Sequence, residues 1–141
     1  DSKPTTQICP YLDQIKEACK GFDLNQIAQR IQAMEGNTQW LEVAQKSFDA
    51  GSPITAHICF RQVKEYHRLS LADCFRLELT LSVRSALLGE FEEGVRSRLV
   101  DKDGNPKWMF NSVSEVDKSV IDTLFTSLWS QEEHPLVQLG K

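Results

Sequence analysis

The segment 101–105, Asp-Lys-Asp-Gly-Asn, has the residue types of a calcium-binding loop. Asp101, Asp103 and Asn105 occupy the first, third and fifth positions of an EF-hand loop, where oxygen ligands are required. The sixth position, however, is Pro106 instead of the glycine that makes the sharp bend, and the twelfth is Ser112, which cannot act as a bidentate carboxylate. The pattern therefore favours a turn over a calcium site, and we predict no metal site in this chain.

The turn interpretation extends to the next residues of the chain. Asp, Asn and Gly favour turns because they bond locally or tolerate left-handed backbone, and Pro106 excludes Asn105 from the helical region. Trp108, Met109 and Phe110 come next and are too apolar for a free loop. We predict that Trp108 has a structural role and anchors this loop on the core.

Other arrangements that could support catalysis are weak. The sequence contains no Gly-x-Ser-x-Gly nucleophile elbow and no glycine-rich phosphate loop. Two glutamate pairs occur, at 92–93 and 132–133, but adjacent residues on a helix diverge by about 100°. The histidines are scattered: His57, His67 and His134. We therefore predict no catalytic residue in this chain.

One carboxylate interrupts an apolar pattern. Glu78 lies between two apolar lines of a helix predicted for residues 71–88. A carboxylate buried there is costly unless it is paired. Arg96, in the next predicted helix, is the expected partner, so we predict a structural Glu78–Arg96 ion pair.

The elements that must position these residues are helices. Apolar residues recur at helical spacing in seven segments, and no segment alternates like a strand bounded by hairpin turns. The helices are predicted at about 10–20, 24–35, 38–50, 53–66, 71–88, 90–99 and 115–129. Their predicted N-caps, where one can be assigned, are Asp23, Asn37, Ser52, Ser70 and Ser114. The sequence thus predicts an all-α fold, a compact bundle of about six or seven short helices forming a single domain over residues 1–141, with a polar tail at 130–141.

The helix at 71–88 is apolar on more than one side, which is typical of a central helix. One line contains Cys74, Leu77, Leu81 and Leu88. A second line contains Leu71, Phe75, Leu79 and Ala86. We therefore expect the other helices to surround this one.

Composition excludes some classes of function. The 141 residues carry a formal net charge of -4 and show no basic stripe, so we expect no nucleic-acid partner. No apolar run approaches the roughly 18 residues of a membrane span, so we expect no membrane partner. The four cysteines lack zinc-site spacing and are predicted to be buried free thiols, which favours a reducing, intracellular compartment.

A longer motif carries a family resemblance. The segment 77–108, LELTLSVRSALLGEFEEGVRSRLVDKDGNPKW, resembles the C-terminal region of the 3-hydroxyisobutyryl-CoA hydrolases in the enoyl-CoA hydratase/isomerase (crotonase) superfamily. The matching residues are Glu78, Leu81-Ser82, Phe91, Glu93-Gly94-Val95-Arg96, the run 99–103 and Pro106-Lys107-Trp108. Ser52-Pro53 also resembles a helix start of the family, so the likeness covers most of the chain. Thr80 and Val83 depart from the pattern, which expects polar or basic residues there, and the tail after Phe110 matches only loosely.

The resemblance implies a supporting role for this chain. In the family, an oxyanion hole of two backbone N–H groups and acidic catalytic residues lie in an N-terminal core of repeated β-β-α turns, which is absent here. The chain is therefore expected to be the C-terminal helical domain, which completes the fold and covers the acyl-CoA pocket but has no activity alone. The parent enzyme is expected to hydrolyse an acyl-CoA thioester to CoA and a hydroxy acid, as in valine degradation.

The resemblance also implies a ligand contact. In related hydratases a lysine in the segment matching 99–103 approaches the adenine-phosphate end of CoA, and Lys102 occupies that position. An ammonium can neutralise a phosphate as a point charge. No covalently bound cofactor is expected, since CoA enters as the thioester substrate, which would reach the parent through its N-terminal core.

Two alternatives remain open. One is a non-catalytic helical protein-interaction module, and the other is the C-terminal part of an enoyl-CoA hydratase/isomerase. Because the chain begins at Asp1 without an initiator methionine, we expect a processed product or an excised piece. A face that normally meets the missing core is expected to be apolar and to promote self-association. The protein is expected in either the cytoplasm or the mitochondrial matrix.

Overall fold

The computed structural model describes residues 6–140, and these residues form seven α-helices and no strand. The all-α prediction is therefore confirmed. The chain divides into two compact units, one up to Gly51 and one from Ser52 onward. No helix within residues 6–140 is both long enough and apolar enough to cross a bilayer.

The first unit contains three α-helices preceded by a short turn. Its elements are a 3₁₀ turn Cys9–Tyr11, α1 Leu12–Ala18, α2 Leu24–Gln32 and α3 Gln39–Ala50. Asp23 caps α2 as predicted, because its carboxylate accepts hydrogen bonds from the backbone N–H groups of Asn25 and Gln26. The first helix is shorter than the predicted 10–20, since residues 9–11 form a 3₁₀ turn and Cys19 already ends α1.

Tyr11 is the centre of packing in the first unit. Its ring stacks on Trp40 with centroids 5.7 Å apart, and its hydroxyl lies 2.7 Å from Thr38 Oγ1. Thr38, and not the predicted Asn37, occupies the N-cap position of α3, and its side chain bonds Tyr11 instead of capping the helix. The backbone at Gly36 approaches so closely that a Cβ there would lie 2.5 Å from Tyr11 Oη and 2.9 Å from Leu41 Cδ2.

The second unit contains the four remaining α-helices. Its elements are α4 Pro53–Glu65, α5 Leu71–Leu88, α6 Glu90–Val95, a π-helical turn Arg96–Val100, a 3₁₀ turn Val113–Glu115 and α7 Lys118–Leu124. Ser52 and Ser70 cap α4 and α5 as predicted, accepting from the N–H groups of Thr55 and Asp73. Gly89 ends α5 with φ +87°, a left-handed conformation that glycine adopts without strain.

The last helix differs from its prediction. The sequence predicts it at 115–129 with Ser114 as its cap, but α7 begins at Lys118 and ends at Leu124. Ser114 lies within the 3₁₀ turn, and Val116 is extended. Asp117 is the N-cap, and its carboxylate accepts from the Ser119 N–H. A second capping residue three positions further on therefore decided where this helix starts.

The core of the second unit forms where α4, α5 and α7 meet. Ile54, Leu81, Ile121 and Leu124 are buried there, and Phe110 packs against them. The buried line of α5 includes Leu81, but Leu71 and Phe75 of the second apolar line are 75% and 53% exposed. The prediction that α5 is central on both of its apolar lines is therefore wrong, because α5 packs closely on only part of its circumference.

One further expectation is corrected by burial. All four thiols are free, as predicted, but Cys9, Cys19 and Cys59 are exposed and Cys74 is half-buried, so the expected burial is wrong. The segment predicted as a polar tail contacts α5: Arg76 donates to the backbone carbonyls of Leu136 and Leu139.

Candidate functional site

The second unit carries an apolar groove with a volume of about 790 Å³. Helices α4, α5 and α6, the π-helical turn and Trp108 line it. Ile58, Leu81 and Phe91 contribute apolar walls, and Phe91 is 65% exposed. Such a groove resembles a ligand or partner site more than an internal void, because apolar clefts of several hundred Å³ with a few polar groups commonly bind ligands.

The polar groups of the groove include Glu78, whose environment differs from the prediction. Glu78 is exposed, and its Oε1 accepts a hydrogen bond from Gln62 Nε2 of α4. It makes no contact with Arg96, so the predicted Glu78–Arg96 ion pair is wrong. The physical reason is that Glu78 faces the groove instead of the core, so its carboxylate needs no buried cation.

Arg96 instead organises the loop after the π-helical turn. Its Nε and Nη2 donate to both oxygens of Glu93, at 2.8 and 2.7 Å. Its Nη1 donates to Asp101 Oδ2 and Asp103 Oδ2, each at 2.7 Å. Its Nη2 also reaches the carbonyl of Asn105 at 3.2 Å. One planar guanidinium thus connects the end of α6 with three points of the loop, a geometry that lysine cannot reproduce.

These contacts shift the acid–base equilibria of the cluster. Hydrogen bonds from Arg96, followed by the backbone N–H of Lys107, lower the pKa of Glu93 from 4.5 to about 2. The Arg96 guanidinium and the Asn105 N–H likewise lower the pKa of Asp103. The carboxylates raise the pKa of Arg96 in turn. Glu93, Asp103 and Arg96 are therefore all charged at neutral pH.

The carboxylate oxygens that suggested a calcium site accept hydrogen bonds within this cluster instead. Asp101 and Asp103 direct carboxylate oxygens at Arg96, and Asp103 Oδ1 also accepts from the Asn105 N–H at 2.9 Å. Across residues 6–140, no group of three or more His, Cys, Asp or Glu side chains is placed to hold a metal ion.

Lys102 lies between these two aspartates at the tip of the loop. It is exposed and has a left-handed backbone with φ +56°, the only positive φ among the non-glycine residues that the structure describes. Its backbone neighbours are fixed, since the Asp101 N–H donates to the Arg96 carbonyl at 2.8 Å and the Gly104 N–H to the Ser97 carbonyl at 3.1 Å. Within residues 6–140 its ammonium has no hydrogen bond or ion pair.

Trp108 lies half-buried beside α6. A Cβ on Gly94 would lie 3.4 Å from Trp108 Cη2, which places the indole directly over the backbone of this helix. Since Trp108 also lines the groove, the same ring lies against α6 and forms part of the groove wall.

Sequence reasoning missed Glu90, a buried carboxylate at the start of α6. It is 8% exposed, its Oε1 accepts from the Met109 N–H at 2.8 Å, and its Oε2 accepts from Ser52 Oγ at 2.5 Å. Glu90 thus joins the N-terminus of α4 to the Trp108 segment, and it also lines the groove. Its position directly after Gly89 was visible in the sequence, but its two partners are 38 and 19 residues away.

Comparison with known proteins defines the class to which this fold and groove belong. The model of the enoyl-CoA hydratase/isomerase family matches residues 1–125. Because this match covers most of the chain, the chain belongs to the enoyl-CoA hydratase/isomerase family. A crystal structure of an enoyl-CoA hydratase from Rhodobacter sphaeroides has a TM-score of 0.72 at 21% identity over 91% of this chain and 37% of that chain, which shows the shared fold.

Particular relatives are named as hydrolases. The mitochondrial 3-hydroxyisobutyryl-CoA hydrolase of Dictyostelium discoideum is 31% identical over 126 residues, 87% of this chain and 33% of that protein. The Xenopus laevis protein of the same name is 33% identical over 121 residues, 86% of this chain and 31% of that protein. The resemblance inferred from segment 77–108 is therefore confirmed.

A third relative has a different name. The small ribosomal subunit protein mS47 of Arabidopsis thaliana is 32% identical over 123 residues, 82% of this chain and 30% of that protein. The chain thus spans about a third of the length of these curated relatives.

Proposed function

We propose that this chain is the C-terminal helical domain of an acyl-CoA thioester hydrolase of the 3-hydroxyisobutyryl-CoA hydrolase type. In this role it completes the fold of a longer protein and covers the CoA pocket, without catalytic activity of its own. The longer protein releases CoA and a hydroxy acid, as in valine degradation. No cofactor is covalently attached, because CoA arrives as part of the substrate.

The similarity to hydrolases over most of the chain carries this proposal. The open apolar groove supports it, since an exposed apolar surface of this kind is typical of a domain that packs against another surface or covers a ligand. The catalytic chemistry is assigned to the remainder of the longer protein, because the family resemblance implies that the oxyanion hole and the acidic catalytic residues lie in an N-terminal core. There, two backbone N–H groups would stabilise the oxyanion of the thioester intermediate, usually the largest electrostatic contribution to such a reaction.

Within this chain, Lys102 is the proposed contact for a CoA phosphate. Lys102 is exposed and has no ion pair among residues 6–140, which supports the assignment, because a compact cation on a flexible stem can meet a phosphate without first breaking another ion pair.

The test compares the full native chain containing these residues with the 141-residue piece alone. Both are assayed for release of CoA from 3-hydroxyisobutyryl-CoA and for hydration of a short enoyl-CoA. We expect hydrolysis by the full chain, no hydration, and no activity from the piece. Hydration without hydrolysis would assign the domain to a hydratase/isomerase instead, and hydrolysis by the piece alone would refute its non-catalytic role.

The ribosomal relative favours a second candidate, a non-catalytic protein-interaction module. In that case the full native chain would sediment with small ribosomal subunits in a sucrose gradient and would hydrolyse no acyl-CoA. If the full native chain sediments separately from ribosomal subunits and hydrolyses an acyl-CoA, this candidate is excluded.

The names of the hydrolase relatives support a mitochondrial location, which a fluorescent fusion of the full native chain would test against a cytoplasmic one. We further propose that the isolated piece self-associates through the exposed apolar groove. Sedimentation velocity should show a concentration-dependent dimer that is lost in Phe91→Ser, since Phe91 is exposed at the groove. A monomer at all concentrations would refute this self-association.

A further inference from the structure

Lys102 stands between two aspartates, yet its ammonium pairs with neither. A lysine flanked by Asp101 and Asp103 ordinarily has a carboxylate within reach of its flexible side chain. Here both carboxylates point to Arg96 Nη1 at 2.7 Å. The guanidinium therefore occupies the two negative groups that would otherwise compete for Lys102.

We propose that Arg96 is a positioning residue for Lys102: by holding Asp101 and Asp103, it keeps the Lys102 ammonium free for a phosphate of acyl-CoA. This inference rests on the proposed function, since the phosphate is that of the proposed substrate. Arg96 acts through Lys102 and does not itself touch the ligand.

The backbone supports the same role. The π-helical turn closes with the Asp101 N–H on the Arg96 carbonyl, and the Asn105 carbonyl accepts from Arg96 Nη2. Lys102 between them keeps φ +56°, a conformation that a non-glycine residue retains only where its surroundings over-determine it. Main-chain bonds thus hold the backbone around Lys102, and the Arg96 side chain adds its own bond to the Asn105 carbonyl.

Loss of Arg96 should change the charge balance of the loop. Glu93, Asp101 and Asp103 then remain without their shared guanidinium, and Lys102 and Lys107 are the nearby cations that can replace it. A carboxylate paired with Lys102 must be displaced before a phosphate binds. Because an exposed ion pair contributes up to about 1 kcal/mol, affinity should fall by about 3- to 5-fold.

The experiment measures CoA binding to the full native chain by isothermal titration calorimetry. The variants are Arg96→Gln, Lys102→Ala, their double mutant, and Arg96→Gln combined with Asp101→Asn and Asp103→Asn. Arg68→Gln is the matched control, since it removes an exposed arginine outside this loop. Circular dichroism checks folding. If Arg96→Gln does not fold, Arg96→Lys replaces it with the same expected direction, because one ammonium cannot hold Glu93, Asp101 and Asp103 in the geometry of the guanidinium and should release an aspartate to Lys102.

We expect Arg96→Gln to weaken CoA binding by about 3- to 5-fold and Lys102→Ala by about 3- to 10-fold, and the double mutant to be no weaker than Lys102→Ala alone. Removing both aspartates should restore the affinity of Arg96→Gln to within about twofold of the wild type, because neither carboxylate that flanks Lys102 then competes for its ammonium. Arg68→Gln should bind like the wild type. Dephospho-CoA as a second probe distinguishes the 3′-phosphate from the diphosphate as the partner of Lys102.

Three results would overturn the proposal in distinguishable ways. If Lys102→Ala weakens binding but Arg96→Gln does not, the positioning role is wrong and the proposed function stands. If the aspartate replacements fail to restore affinity, Arg96 acts through the loop fold alone and the inference is rejected. If the wild-type chain does not bind CoA, the proposed function itself is refuted, and the inference with it.

Discussion

Glu90 offers the sharpest test of how the groove is held together. Its carboxylate is the acceptor for two groups far apart in the chain, the Met109 N–H at 2.8 Å and Ser52 Oγ at 2.5 Å. The proposed perturbation is Glu90→Leu, which preserves most of the side-chain volume but removes both acceptor oxygens. Glu90→Gln is the matched control, because its amide oxygen can still accept from Met109 and its amide nitrogen can donate to Ser52.

The expected magnitude is set by these two bonds. Leaving a partly buried backbone N–H without its acceptor costs about 1–3 kcal/mol, and the bond from Ser52 adds about 1 kcal/mol. The Ser52 hydroxyl still accepts from the Thr55 N–H, so the N-cap of α4 is retained. We therefore expect Glu90→Leu to lower the free energy of unfolding by about 2–4 kcal/mol, and Glu90→Gln by about 1 kcal/mol or less.

Urea unfolding followed by far-UV circular dichroism measures the stability of each variant, and amide hydrogen exchange by NMR reports on Met109 directly. Exchange at the Met109 amide should accelerate in Glu90→Leu and stay close to the wild-type rate in Glu90→Gln. If Glu90→Leu were as stable as the wild type, or if both substitutions destabilised equally, the Glu90 carboxylate would not be the acceptor that joins these segments.

Three further predictions concern close packing, acid stability and the core. Gly36→Ala places a Cβ 2.5 Å from Tyr11 Oη, so the first unit should lose about 1–3 kcal/mol in urea unfolding, and an unchanged midpoint would contradict this contact. In the folded protein the pKa of Glu93 is lowered to about 2, so its contribution to stability is present above its ordinary pKa of 4.5 and is lost as the pH falls toward about 2. A ¹³C titration of the Glu93 carboxyl group measures this pKa, and a midpoint near 4.5 would contradict the prediction. Ile54 is 1% exposed, so Ile54→Ala should lower the stability measured by thermal unfolding by about 2–5 kcal/mol. Leu71 is 75% exposed, so Leu71→Ala should change the stability by about 0.5 kcal/mol or less. Equal effects of the two substitutions would refute the assignment of the core.

Helix positions were predictable wherever a local signal was unambiguous. Ser70 and Gly89 bracket α5, and the predicted range 71–88 is the observed one, because a serine cap and a left-handed glycine act on the adjacent backbone alone. The last helix failed because Ser114 and Asp117 are both good caps within three residues of each other. Periodicity could not choose between them.

The division into two units at Gly51 and Ser52 also had a local signal that permitted more than one interpretation. Gly-Ser-Pro at that point indicates that one helix ends and another begins, which is what α3 and α4 do. Whether such a junction separates compact units depends on which side chains meet elsewhere in the chain, and the junction itself does not encode this.

The candidate site shows the same limit more strongly. Glu78 was singled out as the residue needing a partner, and Arg96 was the expected one, but the carboxylate partners of Arg96 are instead within seven residues of it. The expected pairing assumed that Glu78 faces the core. Glu78 faces the groove and bonds Gln62, and only the folded loop determined which carboxylates Arg96 holds.

By itself, the sequence determined the all-helical class, most of the helix starts and the family resemblance, because periodicity, capping and a long motif are properties of neighbouring residues. Only the tertiary structure decided that Phe91 and Trp108 line one groove, that Glu90 joins two distant segments, and that Arg96 holds the aspartates on both sides of Lys102. These arrangements depend on distances between residues separated in the chain, or on the exact path of a loop, and composition and periodicity contain no information about either.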